Sequence, residues 1–259
     1  MNNYYFIGSQ SAATAEIIKI LQETKASFTK IQPDKYGLYR VENDKIDAII
    51  QEGFNPVVIG IDCCRQDVRA LRKYRRHVNG SPLEEVAIWE NVPLDDWRNL
   101  VLANDEDFYN DYPYSTEIMR ELCYKGFSRD EIEKVRAYDR SERGISEAEE
   151  MAAEEAVQKH SAEHKGLLVI TGLPHQKYRA VLDRVFWMQP MQNTVIFTNK
   201  GKFLYAGFAD VCLGLMKDFH VWSNHYCWTE GYYADMAEQM RIIKYLVSLS
   251  KIKKADGIL

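Results

Sequence analysis

Pro56-Val57-Val58-Ile59-Gly60-Ile61-Asp62 is the stretch that decides the fold. It is apolar almost throughout, as a strand must be when helices cover both faces of a parallel sheet. Toward the N-terminus, Asn43 or Asp44 is placed to cap a helix that turns Ile46, Ile49 and Ile50 inward. Leu38 to Val41 reads as a short strand and Phe28 to Ile31 as another. The chain opens with Tyr4-Tyr5-Phe6-Ile7, a small-residue turn Gly8-Ser9-Gln10-Ser11, and Ala12 to Glu23 with Ala13, Ile17, Ile20 and Leu21 on one helical face. Strands alternating with helices predict an α/β fold built on a doubly wound, mainly parallel sheet. Ligands of such sheets sit beyond the carboxyl ends of the strands. Two places qualify, the Gly8–Ser11 turn and the segment that begins at Asp62.

Toward the C-terminus the pattern turns helical. Residues 84–90, 94–103, 116–125, 128–138 and 146–158 are separate predicted helices. Ser128 with Glu131 and Ser146 with Glu149 each have the spacing of a capping box. The run from Ser141 to His164 is rich in Glu, Ala and Lys and reads as an exposed connecting helix. From Gly166 the composition shifts to an apolar strand (Leu167 to Thr171), a helix (Lys177 to Trp187), and a hairpin around Asn199-Lys200-Gly201. Two helices follow, near residues 209–219 and 233–250. The expected organisation is an N-terminal α/β domain with a helical extension (1–140), a helical connector (141–165) and a smaller C-terminal α/β unit (166–259).

Composition narrows the class. A length of 259 residues is ample for a buried core. With 46% hydrophobic and 27% charged residues, the chain is outside the disordered range. No apolar run approaches 18 residues, which removes a transmembrane helix, and the N-terminus lacks the basic and apolar regions of a secretory signal. Five cysteines (Cys63, Cys64, Cys123, Cys212 and Cys227) form an odd set without C-x-x-C spacing. They fit free thiols in a reducing cytoplasm, the expected location. The net charge of −5 gives no strong nucleic-acid signal.

Asp62 is the leading candidate for chemistry, because it ends the apolar strand at the mouth of the sheet. Asp67 and His77 follow, and Asn104-Asp105-Glu106-Asp107 forms an acidic cluster further on. Carboxylates with an imidazole suit a divalent ion such as Mn2+ or Mg2+, or zinc. The alternative is that Asp62 caps the next helix and Asp105 to Asp107 are surface turn residues. Arg65, Arg69, Arg72 and Arg76 fall on one face if the segment is helical, suited to phosphate or to a solvated face of ion pairs. His175, Arg179 and Asp183 share an i, i+4, i+8 face, fit either to grip an anion or to form plain ion pairs. Val221 to Tyr233, with His225 set among tryptophans and tyrosines, could line a pocket, cover the core edge or make a homodimer contact. No G-x-S-x-G, G-x-G-x-x-G or P-loop string is present.

Val57 to Asp62, the Leu83–Trp89 helix and Ala103-Asn104-Asp105 together resemble the DHH phosphoesterase superfamily. That resemblance implies a doubly wound domain carrying metal-binding Asp and His residues, a helical connector and a smaller substrate-binding domain. In this chain Gly8-Ser9-Gln10 stands where the family usually carries aspartates, Cys63-Cys64 follows Asp62 in place of two histidines, and Ser223-Asn224-His225 is the nearest string to its Gly-Gly-His motif. The resulting expectation is a phosphoesterase-like hydrolase for a phosphorylated small molecule or nucleotide. Asp62, Asp105 and His77 would hold a metal and act in catalysis, and Arg65, Arg69, His175, Arg179 and His225 would bind substrate. The alternative is a non-catalytic ligand-binding or assembly protein on the same scaffold.

Overall fold

A computed structural model describes residues 2–35, 38–61, 68–71, 81–106, 116–188, 193–223 and 228–255. Their elements, in chain order, are β1 (Asn3–Ile7), α1 (Ala12–Glu23), β2 (Ser27–Lys30), α2 (Asn43–Gln51), β3 (Asn55–Ile59), β4 (Arg69–Leu71), α3 (Pro82–Trp89), α4 (Asp96–Glu106), α5 (Thr116–Tyr124), α6 (Arg129–Glu142), α7 (Glu147–Lys159), β5 (Ser161–His164), β6 (Leu167–Leu173), α8 (Tyr178–Met188), β7 (Asn193–Thr198), β8 (Lys202–Ala206), α9 (Ala209–Asp218), β9 (Val221–Ser223), β10 (Trp228–Tyr232) and α10 (Met236–Ala255). They fall into two compact units. One comprises residues 1–109 and 126–144, the other 110–125 and 145–259. The fold is α/β, with a parallel sheet in the first unit and a mixed sheet in the second.

In the first unit the strand order is β2-β1-β3-β4, and every pair is parallel. The alternation of side chains sends Phe6, Val58 and Ala70 to one face, where they pack with Ile46 and Ile49 of α2. Tyr5, Val57 and Arg69 share a register row on the other face, toward α3. Helix α1 turns Ile17, Ile20 and Leu21 inward and packs on α3, α4 and α6. The chain passes from β1 to β2 on one side and then to β3 on the other, so the switch point lies between β1 and β3.

The strand predicted through Asp62 ends at Ile59, because Gly60 turns the chain with φ +65°. A Cβ there would sit 2.5 Å from Ser9 Oγ, so the close approach of the two strand ends requires glycine. Three local expectations change. Leu38 to Val41 forms no strand, only an isolated bridge between Pro33 and Tyr39. The N-cap of α2 is Glu42, without a side-chain cap bond, in place of Asn43 or Asp44. Arg69 lies on the edge strand β4, not on a helix, so strand alternation and not i, i+4 spacing sets its direction.

The second unit holds a six-stranded sheet, β5-β6-β7-β8-β10-β9, in which β6 and β7 alone are parallel. Leu168, Ile170, Ile196 and Leu204 face α7 and α8, while Val169, Val195, Phe197 and Phe203 face α9 and α10. The hairpin turn at Gly201, φ +71°, forms as its sequence predicts. The stretch expected as a connector holds α7, which buries Ala153, Ala156 and Val157 in this core, and β5, which pairs with β6. Both predicted capping boxes are formed, Ser128 with Glu131 and Ser146 with Glu149. No helix among the described residues is long and apolar enough to cross a membrane.

Candidate functional site at the carboxyl edge of the parallel sheet

Beyond Ile7, residue Ser9 adopts φ +66°, a conformation costly to any residue with a Cβ. Its hydroxyl lies 3.0 Å from Thr14 Oγ1, which is 3.1 Å from Ser11 Oγ. Ser11 is the N-cap of α1 and accepts the Thr14 N–H. The turn therefore ends in a short chain of hydroxyls. Beside it is a cavity of about 130 Å³, lined among others by Ser9, Gln10, Thr14, Lys30, Tyr39 and Glu142. Lys30 is the last residue of β2, in register with Ile7, and lines the same cavity.

Buried ionisable groups also gather beside the start of α1. Asp139 of α6, 2% exposed, accepts the Ala12 N–H at 3.1 Å and pairs with Arg143 at 2.7 Å. A carboxylate at a helix N-terminus complements the helix dipole. It also means that the first N–H of α1 is already taken. Arg136, 1% exposed, donates to Asn104 Oδ1 at 3.0 Å, and Ser81 donates to Asp105 Oδ2 at 3.4 Å. Ser81 at the same time caps α3 by accepting the Leu83 N–H. Asp105 is buried at the end of α4, and is not the surface turn residue that the alternative reading allowed.

Of the candidates from sequence, Asp62, His77, Arg65 and His225 lie outside the described residues, as do Asp67, Arg72 and Arg76. Asp105 stands at the carboxyl edge. Arg69 does not: it begins β4 two residues short of that edge, 3.4 Å from Glu85 and with its guanidinium 3.8 Å above the Trp89 ring. His175 precedes α8, so it does not share a helical face with Arg179 and Asp183. Its Nδ1 accepts the Lys177 N–H at 3.1 Å, which leaves the proton on Nε2 to donate to Glu149 O at 2.9 Å. Both ring nitrogens thus fasten the start of α8 to α7. Arg179 is half-buried on α8. Its neighbour Arg184 clamps α7 through Glu150 and Glu154, at 2.9 and 2.5 Å.

Sequence reasoning passed over Lys30, Arg136 and Asp139. Lys30 carried a usable signal, as a cation ending a strand beside the β1 turn. Arg136 and Asp139 carried none, since charged residues on a helix of this composition read as solvated.

A divalent ion is what the superfamily resemblance implies. Among the described residues no three His, Cys, Asp or Glu side chains come together as ligands. Asp105 is the only expected ligand among them, one of its oxygens takes the Ser81 hydroxyl, and the β1 turn offers neutral oxygens. On the described residues alone, the donor set does not fit a divalent ion.

No family model matches the chain, and no curated protein matches it in sequence. Solved structures do. It is similar to a pGpG-specific phosphodiesterase, PggH, from Vibrio cholerae, with 12% identity and a TM-score of 0.48 over 97% of this chain and 99% of that one. An exopolyphosphatase-related protein from Bacteroides fragilis matches with 9% identity and a TM-score of 0.47, covering 98% and 94% of the two chains. The DHH domain of a member of a ribosomal-protein family matches with 9% identity and a TM-score of 0.47, covering 95% and 86%.

Proposed function

We propose that the chain is a phosphoesterase-like hydrolase acting on a phosphorylated small molecule or nucleotide at the carboxyl edge of the β2-β1-β3-β4 sheet. The observation that carries this reading is the burial of Asp105, Asn104, Arg136 and Asp139 at that one edge. Buried charge is costly, by several kcal/mol for each ion, and it concentrates where a fold positions ionised groups for a task. In this reading Lys30 and the Ser9, Gln10 and Thr14 side chains receive the phosphate oxygens. Asp105, oriented by Ser81, takes the proton of the attacking water as the new O–P bond forms. The ester O–P bond breaks and the leaving oxygen takes a proton from solvent.

The second reading, a non-catalytic ligand-binding protein on the same scaffold, is favoured by the hydroxyls and amide of the β1 turn, where the DHH superfamily usually carries aspartates. Turnover of bis(p-nitrophenyl) phosphate and a nucleotide panel, with chelator and with added Mn2+ or Mg2+, separates the two. Hydrolysis that Lys30→Ala weakens mainly through KM supports the first. Saturable nucleotide binding with no turnover under any condition establishes the second.

A further inference from the structure

Two charged side chains of opposite sign line the cavity at the β1 turn: Lys30, which ends β2, and Glu142, which ends α6. The other polar groups of its described lining are the uncharged side chains of Ser9, Gln10, Ser11, Thr14, Gln32 and Tyr39. Neither charge meets an ion-pair partner among the described residues. Next to Glu142 in the chain, Arg143 pairs with Asp139 at 2.7 Å, and one turn back the Tyr138 hydroxyl donates to Glu16 at 3.1 Å. The carboxylate is therefore left without a counter-charge from its own helix. Ala15, Ile18 and Ile31 add an apolar wall to the same cavity.

Such a lining suits a ligand that carries both charges on a short carbon chain. A phosphate held by Lys30 and the Ser9 and Thr14 hydroxyls would, by itself, bring negative charge toward an uncompensated carboxylate, and that repulsion disfavours it. An ammonium on the same molecule removes the repulsion and gives Glu142 a charge-assisted hydrogen bond. Size limits the chain. The cavity, about 130 Å³, is close to the roughly 150 Å³ that holds one benzene ring and well below the roughly 300–1,000 Å³ of a pocket for a drug-sized ligand. A phosphate with a short arm fills that space, whereas a nucleoside has to stay outside it. We infer that the site selects the phosphomonoester of a small amino alcohol, with the phosphate at Lys30 and the ammonium at Glu142. This rests on the reading that the edge receives a phosphate group, and not on its hydrolysis.

The test uses the full chain and two probes of one shape, phosphoethanolamine and propyl phosphate, which differ by an ammonium against a methyl group. Isothermal titration calorimetry is expected to show phosphoethanolamine binding the wild type about tenfold more tightly or better, the worth of one hydrogen bond to a charged group. Glu142→Gln is expected to erase that preference, and Lys30→Ala to weaken both ligands. Both side chains are exposed, and urea midpoints show that each variant is folded. Equal affinity of the two probes for the wild type overturns the inference. So does a preference that persists in Glu142→Gln, and so does failure of both probes to bind. Phosphate release is measured in parallel on phosphoethanolamine and on a nucleoside monophosphate. A Glu142-dependent preference without phosphate release from either compound supports the inference and overturns the hydrolysis. Release from the nucleotide with no preference for phosphoethanolamine supports the hydrolysis and overturns the inference.

Discussion

Asp139 Oδ1 accepts the Ala12 N–H at 3.1 Å across 127 residues of sequence, and thereby ties the end of α6 to the start of α1. The same carboxylate pairs with Arg143 at 2.7 Å. A buried carboxylate with two donors cannot be removed without stranding them. Asp139→Ala is expected to lower stability by about 2–4 kcal/mol, read from the urea midpoint, and Asp139→Asn by less because its amide oxygen still accepts. A loss under about 0.5 kcal/mol in the alanine variant would show that the tie contributes little.

Glu16, 2% exposed on α1, receives hydrogen bonds from Lys19 at 2.7 Å, Trp97 at 3.1 Å and Tyr138 at 3.1 Å, with Arg98 at 3.6 Å. Burial alone would raise its pKa, but the bonds from Lys19, Trp97 and Tyr138 outweigh that and hold it below the ordinary glutamate value of 4.5. The folded pKa is therefore lower than the unfolded one. Its stabilisation is present above pH 4.5 and is lost as pH falls through the folded value. Urea stability measured from about pH 6 downward is expected to decline for the wild type, and more shallowly for Glu16→Gln. Parallel curves for the two would contradict the assignment.

His175 is expected to be the Nε2–H tautomer, because Nδ1 takes the Lys177 N–H. Nitrogen-15 chemical shifts of the ring report this directly. Loss of both bonds in His175→Ala is expected to cost about 1–3 kcal/mol. Hydrolysis and nucleotide affinity at saturating folded fraction should be unchanged, whereas a phosphate-gripping histidine would raise KM.

Arg69 stacks on Trp89 and meets Glu85 at the surface, its side chain 62% exposed. Arg69→Ala should cost no more than about 1 kcal/mol, since exposed cation–π and ion pairs are weak in water. Phosphate binding is expected to survive. A substantial KM increase would place Arg69 in the site after all.

The parts of this fold that were legible in the sequence are those that local chemistry sets. Ser128 and Glu131 fix a helix start wherever the chain puts it, and Pro56 to Ile59 can only be buried on both faces. Arg69 misled because spacing by three and four is compatible with a helix without requiring one. Arg69–Leu71 pairs in parallel with β3, an outcome that depends on what lies beside it and not on its own pattern. The buried cluster of Arg136, Asp139 and Asn104 was illegible for the same reason. Its partners come from α1, α4 and α6, and tertiary packing alone brings them to one edge of the sheet. The contact between Asp105 and Ser81 was equally illegible, since 24 residues separate them and only the packing of α3 and α4 brings them together.

The most direct test of the proposed hydrolysis is kcat on the best phosphoester for the wild type and for Asp105→Asn, with urea midpoints measured in parallel. The account predicts that kcat falls by roughly a hundredfold or more, the usual size of a general-base contribution, while the substitution keeps the Ser81 contact and a near-native midpoint. An unchanged kcat in a folded Asp105→Asn protein would contradict it and leave the carboxyl edge without its catalytic carboxylate.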